Sequence, residues 1–101
     1  MQTPTGRLKR KIEKENLWLF ILSSLGNERK CGKELKSKVE KEFGFITGKV
    51  TAYKVLYLLE SGGYVKSEKE GRRVYYSITG RGRKELGSGL VYLKSLSGKL
   101  L

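Results

Sequence analysis

The side chains best suited to chemistry in this chain are cations and hydroxyls, and they are grouped. Lys49, Thr51, Tyr53 and Lys54 fall within six consecutive positions; Lys66, Lys69, Arg72 and Arg73 follow after a glycine pair; Lys30 and Lys33 precede them. Ammonium and guanidinium groups donate to phosphate oxygens, and arginines do so bidentately, while threonine and tyrosine hydroxyls meet phosphates or base edges. The chemistry these residues offer is the holding of a polyanion. Catalysis is not expected. The sequence contains no histidine, and its 10 carboxylates lie mostly beside lysines in helix-face patterns that read as solvated ion pairs. No residues have zinc-ligand spacing, and no metal or other cofactor is expected. The lone Cys31 cannot form an intrachain disulfide; it reads as a small, half-buried side chain ahead of Gly32, with a redox-sensing thiol as the lesser reading.

Net charge points the same way. The chain has 101 residues, 22 Lys and Arg against 10 Asp and Glu, and a formal charge of +12 spread along most of its length. A field of that sign draws polyanions, because each phosphate neutralised releases condensed counterions. The length suits one modest core. The apolar run Leu17 to Leu25 is too short for a membrane span and is interrupted by Ser23 and Ser24, so no membrane partner and a cytoplasmic location are expected.

The elements that must position the cations follow from periodicity. Residues 1–7, with the only proline, read as a flexible basic arm. Leu8 to Leu25 reads as a first helix, with Leu8, Ile12, Leu19 and Leu22 on one face, a charged first half and an apolar second half. Trp18 in that second half reads as core or dimer packing. Glu28 to Cys31 is a connection able to add a small strand. Gly32 to Phe43 reads as a second helix, with Leu35, Val39 and Phe43 inward and a Glu34 to Lys38 pair in support. A third helix is expected from Thr47, placed to cap it, to the stop at Gly62 or Gly63, with Val50, Ala52, Val55, Leu56 and Leu59 on its apolar face. Tyr64 to Lys69 and Arg72 to Ile78 then read as a β-hairpin turning at Gly71, with Val65, Val74, Tyr76 and Ile78 on one side of the pleat and the paired arginines at the tip.

Thr79 to Leu101 reads as a last helix. Leu86, Leu90, Leu93, Ser97 and Leu100 recur in steps of four, three, four and three, a short heptad seam suited to dimerisation. Gly82, Gly87 and Gly89 each weaken that helix by roughly 1 kcal/mol relative to Ala. The expected fold is mainly α with a small β-hairpin, a winged helix-turn-helix. It divides into the arm, a DNA-binding domain over 8–80 and a dimerisation helix over 81–101. A helix matches the width of the major groove, and a hairpin tip beside it reaches the neighbouring backbone.

With these elements placed, the chain resembles the PadR-type winged-helix transcriptional regulators over roughly Leu17 to Leu86. The likeness rests on LWLFILSSLG, TAYKVLYLLESGGYV and GRRVYYSITGRGRKEL. It implies a homodimer held by the first and last helices, binding palindromic operator DNA and usually repressing. Position by position it assigns Tyr53 to the tyrosine of the third helix, Lys49, Thr51 and Lys54 to its DNA-facing positions, and Arg72 and Arg73 to the wing. Three places depart from the family pattern: Ala52-Tyr53 stands for a Leu-Tyr pair, Gly62 for an acidic residue, and Cys31-Gly32-Lys33 for His-Gly-Tyr. The last helix is shorter than in longer relatives.

Double-stranded DNA and a second copy of the chain are therefore the expected partners, with any small-molecule effector unassigned. Leu8, Ile12, Leu19, Leu86, Leu90, Leu93 and Leu100 are the expected dimer-interface residues. A different class of function, a winged-helix adaptor for protein or RNA, is supported by Tyr57 and Leu58, which the third-helix pattern leaves exposed and which DNA contact does not require.

Overall fold

Five helices and three strands make up the computed structural model, which describes residues 3–101. In chain order they are α1 (Pro4–Glu15), α2 (Leu17–Leu25), β1 (Lys30–Cys31), α3 (Gly32–Phe43), α4 (Lys49–Ser61), β2 (Val65–Glu70), β3 (Arg73–Ile78) and α5 (Gly80–Leu100). The core joins Leu17, Ile21, Leu22 and Leu25 of α2, Leu35 and Val39 of α3, Leu56 and Leu59 of α4, and Val65 of β2. Phe20 meets Phe43 and Phe45 edge to face, each at 4.9 Å between ring centres, closing the end where α3 turns into α4.

The first helix expected over Leu8 to Leu25 is two helices. Asn16 leaves the helical region at φ −128° and ψ 36°. No Gly or Pro marks this break; burial causes it. α1 buries none of its residues, whereas α2 buries five of nine, so the chain turns at Asn16 to send the apolar half inward. The flexible arm is also corrected. From Thr3 onward it is the capped start of α1: the Thr3 hydroxyl accepts from the Gly6 N–H at 3.0 Å, and Pro4 occupies the first turn, where its missing donor costs nothing. The expectation for Met1 and Gln2 lies outside the described residues.

Val55 and the β-branched residues near the start of α4 cost a few tenths of a kcal/mol each in helix propensity, while each buried leucine gains about 1.5 to 3 kcal/mol. Burial of Leu56 and Leu59 therefore decides the helix. Its end is a Schellman turn: Tyr64 N–H donates to Leu59 C=O at 2.9 Å, Gly63 N–H to Glu60 C=O at 3.0 Å, and Gly63 takes φ +80°. Its start differs from expectation. Gly48 holds the cap position, and no side chain caps α4; Thr47 is buried one residue earlier, and its hydroxyl has no partner among the described residues.

The small strand after α2 does form and makes a three-stranded antiparallel sheet in the order β1-β3-β2. Val65 pairs with Ile78, Ser67 with Tyr76 and Lys69 with Val74, so Val65, Val74, Tyr76 and Ile78 share one face as the pattern requires. The hairpin turns at Gly71 and Arg72, and Arg73 already lies in the ladder opposite Glu70. α5 starts at Thr79, whose hydroxyl accepts from Gly82 N–H at 3.1 Å and donates to Gly63 C=O at 2.6 Å, tying the helix to the end of α4. Trp18 and Leu19 pack against α5 at Gly89, where a Cβ would meet each at 3.0 Å. Trp18 thus has an intrachain packing role.

Candidate nucleic-acid interface

One arc of α4 lies open to solvent. Ala52, Leu56 and Leu59 point inward, and at 3.6 residues per turn the opposite side carries Val50, Lys54 and Tyr57, with Thr51 on one flank and Tyr53 on the other. Each flank borders a basic cleft. On the Thr51 side, Arg10 and Lys14 of α1 line a cleft with Glu13, Ile46, Thr47 and Gly48. On the Tyr53 side, Lys33 of α3 and Arg72 and Arg73 of the hairpin line a second with Cys31, Gly32 and Tyr76.

Tyr53 is held in place by a close approach. A Cβ on Gly32 would lie 2.5 Å from the Tyr53 hydroxyl oxygen and 2.6 Å from its ring, so a larger residue at the start of α3 would push the end of the aromatic side chain aside. Tyr53 therefore rests on the start of α3 at the cleft wall, half exposed. Burial raises the pKa of the neighbouring Tyr76 phenol, and the Glu60 carboxylate adds to the effect. Glu60 also accepts from the Ser67 hydroxyl, which ties α4 to the hairpin.

The hairpin's own charges are sorted by ion pairing. Arg29 pairs with Glu68 at 3.0 Å and with Glu70, and stacks over the Tyr75 ring at 4.3 Å. Its hydrogen bond to Glu70 raises the guanidinium pKa further. The two hairpin carboxylates are thereby occupied, while Lys66, Lys69, Arg72 and Arg73 form no salt bridge among the described residues. The pleat separates the two lysines. Lys69 shares the face of Val74 and Tyr76, and Lys66 the opposite face, with Glu68 and Tyr75.

Of the sequence-derived set, the fold brings Lys33, Tyr53, Arg72 and Arg73 around one cleft, places Thr51 at the other, and leaves Lys49 and Lys54 exposed on α4. Lys66 lies on the far face of the hairpin. Lys30 is used elsewhere: its ammonium donates to Leu25 C=O at 3.0 Å, capping the end of α2. Glu34 does not pair with Lys38. Its carboxylate accepts from Cys31 N–H at 3.1 Å, and Lys38 reaches Glu42 at 3.6 Å. Hydrogen bonding from Cys31, first from its side chain and then from its backbone, lowers the Glu34 pKa, with Arg73 and Lys30 adding to it.

Sequence reasoning missed Arg10, Lys14 and Val50. The two cations are one helical turn apart in the charged half of the first helix, a spacing that puts them on one side, but only the fold shows which element they face. Val50 was assigned to the apolar face of the third helix; it is 82% exposed. Two positions along a helix is about 200° of rotation, so Val50 points away from the side that carries Ala52, Leu56 and Leu59.

Among the interface candidates, Leu86 packs against the core, Leu19 lies against α5 of the same chain, Ile12 is half-buried, and Leu8, Leu90, Leu93 and Leu100 are exposed. Among the described residues no helix is long and apolar enough to cross a membrane.

The model of the Transcriptional regulator PadR-like family matches residues 21–88, from the second half of α2 through the first turns of α5. Solved structures share the architecture. A PadR-like transcription factor from Bacteroides fragilis superposes with a TM-score of 0.78 at 26% identity, over 93% of this chain and 95% of that one. A PadR family transcriptional regulator from Eggerthella lenta gives a TM-score of 0.81 at 24% identity, over 95% and 88%. F93 from STIV, a winged-helix DNA-binding protein, gives 0.72 at 22% identity, over 82% and 91%. No curated protein matches the chain. With the family model covering well over half its length, and a winged helix assembled around the exposed arc of α4, this chain belongs to the PadR-like family of transcriptional regulators.

Proposed function

We propose that the chain is a homodimeric, sequence-specific binder of double-stranded DNA that represses transcription. The observation that carries this reading is the exposed arc of α4 framed on both sides by cationic clefts. Lys49, Thr51 and Lys54 meet the major groove, and Tyr53 orients the helix against α3. Lys69, Arg72 and Arg73 hold the wing on the backbone, Lys33 does so from the start of α3, and Arg10 and Lys14 extend the cationic frame beyond α4. The uncapped N-terminus of α4 adds free N–H groups and the positive end of the helix dipole where phosphate would lie. Exposed Leu8, Leu90, Leu93 and Leu100 supply the dimer contact, with Ile12 and Leu86 at its edge and Leu19 supporting α5 from behind. A two-fold pair sets its α4 helices into successive major grooves, about 34 to 36 Å apart. The direction of regulation follows the family resemblance, and the site of action is the cytoplasm, with the DNA.

Measuring affinity for a selected duplex against salt tests the reading. If six to ten phosphates are neutralised, binding weakens about 10³- to 10⁵-fold between 50 and 200 mM salt, and a flat response rejects it. Reporter transcription with and without the protein tests repression. Tyr57 and Leu58, 68% and 56% exposed, favour a second reading as an adaptor for protein or RNA. Equal affinity for structured RNA and duplex DNA, or none for either, selects that reading.

A further inference from the structure

Ile46 and Val50 are the most exposed β-branched aliphatic side chains among the described residues, at 86% and 82%. Burying either would gain about 1.5 to 3 kcal/mol, yet neither joins the core. Both lie at the N-terminal end of α4: Val50 in its first turn and Ile46 just before it, with Lys49, Thr51 and Lys54 alongside. In a helix-turn-helix this end of the recognition helix is the part that meets base edges. Within the major groove, phosphates and most base-edge atoms are polar; the apolar partner on offer is the 5-methyl group of thymine. A protein surface that took up these two side chains would also have to accept the adjacent cations of a chain carrying +12. Charge complementarity favours DNA.

We infer that Val50, with Ile46 beside it, reads thymine methyl groups in each half-site of the bound duplex. The inference rests on the DNA-binding reading and adds its sequence preference: Val50 is a specificity residue, and the lysines around it supply affinity that does not depend on sequence. The contact is apolar and involves no hydrogen bond, so removing a single methyl from the DNA is enough to detect it.

The test uses the full chain and the duplex most enriched from a random pool, resynthesised with deoxyuridine replacing each thymine in turn. This change deletes the methyl and leaves base pairing intact. The wild type is expected to lose about fourfold in affinity at one position per half-site, the effect of one buried methyl-sized group. Val50→Ala, present in both subunits, should bind the parent duplex about 16-fold more weakly, about fourfold for each half-site, and be indifferent to deoxyuridine at that same position; Ile46→Ala should do the same at an adjacent step. Alanine exceeds valine in helix propensity and position 50 is exposed, so the fold is retained, as an unchanged thermal midpoint would show. An enriched duplex on which every deoxyuridine substitution stays within experimental error overturns the inference and leaves DNA binding standing. So does a Val50→Ala variant that loses equally on thymine and deoxyuridine duplexes, or one that loses only a protein or RNA partner. Failure to enrich any duplex overturns both.

Discussion

α4 and α5 both expose apolar side chains, and they differ in what surrounds them. On α4 the exposed Val50, Tyr53, Tyr57 and Leu58 share a helix with the buried Ala52, Leu56 and Leu59 and stand beside Lys49 and Lys54. On α5 only Gly82 is buried, and from Leu90 to Leu101 every residue is exposed, with Lys94 and Lys99 the only charges in the stretch. Apolar surface interleaved with cations suits a groove walled by phosphates. Apolar surface with little charge suits another protein surface, and a helix carrying glycines at 80, 82, 87, 89 and 98 has poor intrinsic stability without one. The two ends of the molecule therefore point to different partners.

The strongest way to break this contrast is to charge α5. Leu90→Arg combined with Leu93→Arg is expected to convert a dimer to a monomer in sedimentation experiments. Operator affinity should fall by about 10² to 10⁴, because the second half-site contact is no longer intramolecular. A wild type that sediments as a monomer across micromolar concentrations would remove the assignment of α5.

Next in size is Gly82→Ala. An added Cβ would overlap the Tyr64 carbonyl oxygen, a backbone atom with little room to move, so denaturant unfolding should show a loss of about 1 to 3 kcal/mol. The wing comes third. Arg72→Ala should weaken binding to all duplexes alike and reduce the salt slope by about 1, whereas Lys66→Ala, on the other face of the hairpin, should leave the slope unchanged. Gly87→Ala should go the opposite way from Gly82→Ala: nothing lies within 4 Å of its added Cβ, so stability should rise by up to about 1 kcal/mol.

The smallest effect expected is a pH dependence at the base of the wing cleft. Hydrogen bonding from Cys31 lowers the Glu34 pKa in the folded chain, so its contribution is present above the ordinary carboxylate range and lost as pH falls through the lowered value. Glu34→Gln should flatten that acid limb of the stability curve, as thermal unfolding across the range would show.

Much of the site was legible because it depends on local signals. Tyr53 and the arginine pair stood out by type and spacing, and the stop at Gly63 and the turn at Gly71 by glycine chemistry. The cap made by Lys30 was not legible for a physical reason: a lysine five residues beyond a helix end looks the same in sequence whether its ammonium meets a phosphate or folds back onto a carbonyl. Val50 is exposed because its spacing of two from Ala52 matches the period of a strand and not that of a helix, which turns it about 200° away from the core side.

Sequence alone determined the order of elements, the pleat of the hairpin, the sign of the field and the family resemblance, since each follows from residue type, period two or 3.6, or a sum of charges. Tertiary structure decided the break at Asn16, the packing of Trp18 and Leu19 against α5, and the two basic clefts that flank the exposed side of α4. Those outcomes depend on which surfaces of distant segments meet, and burial over such contacts outweighs the small local preferences that sequence patterns record.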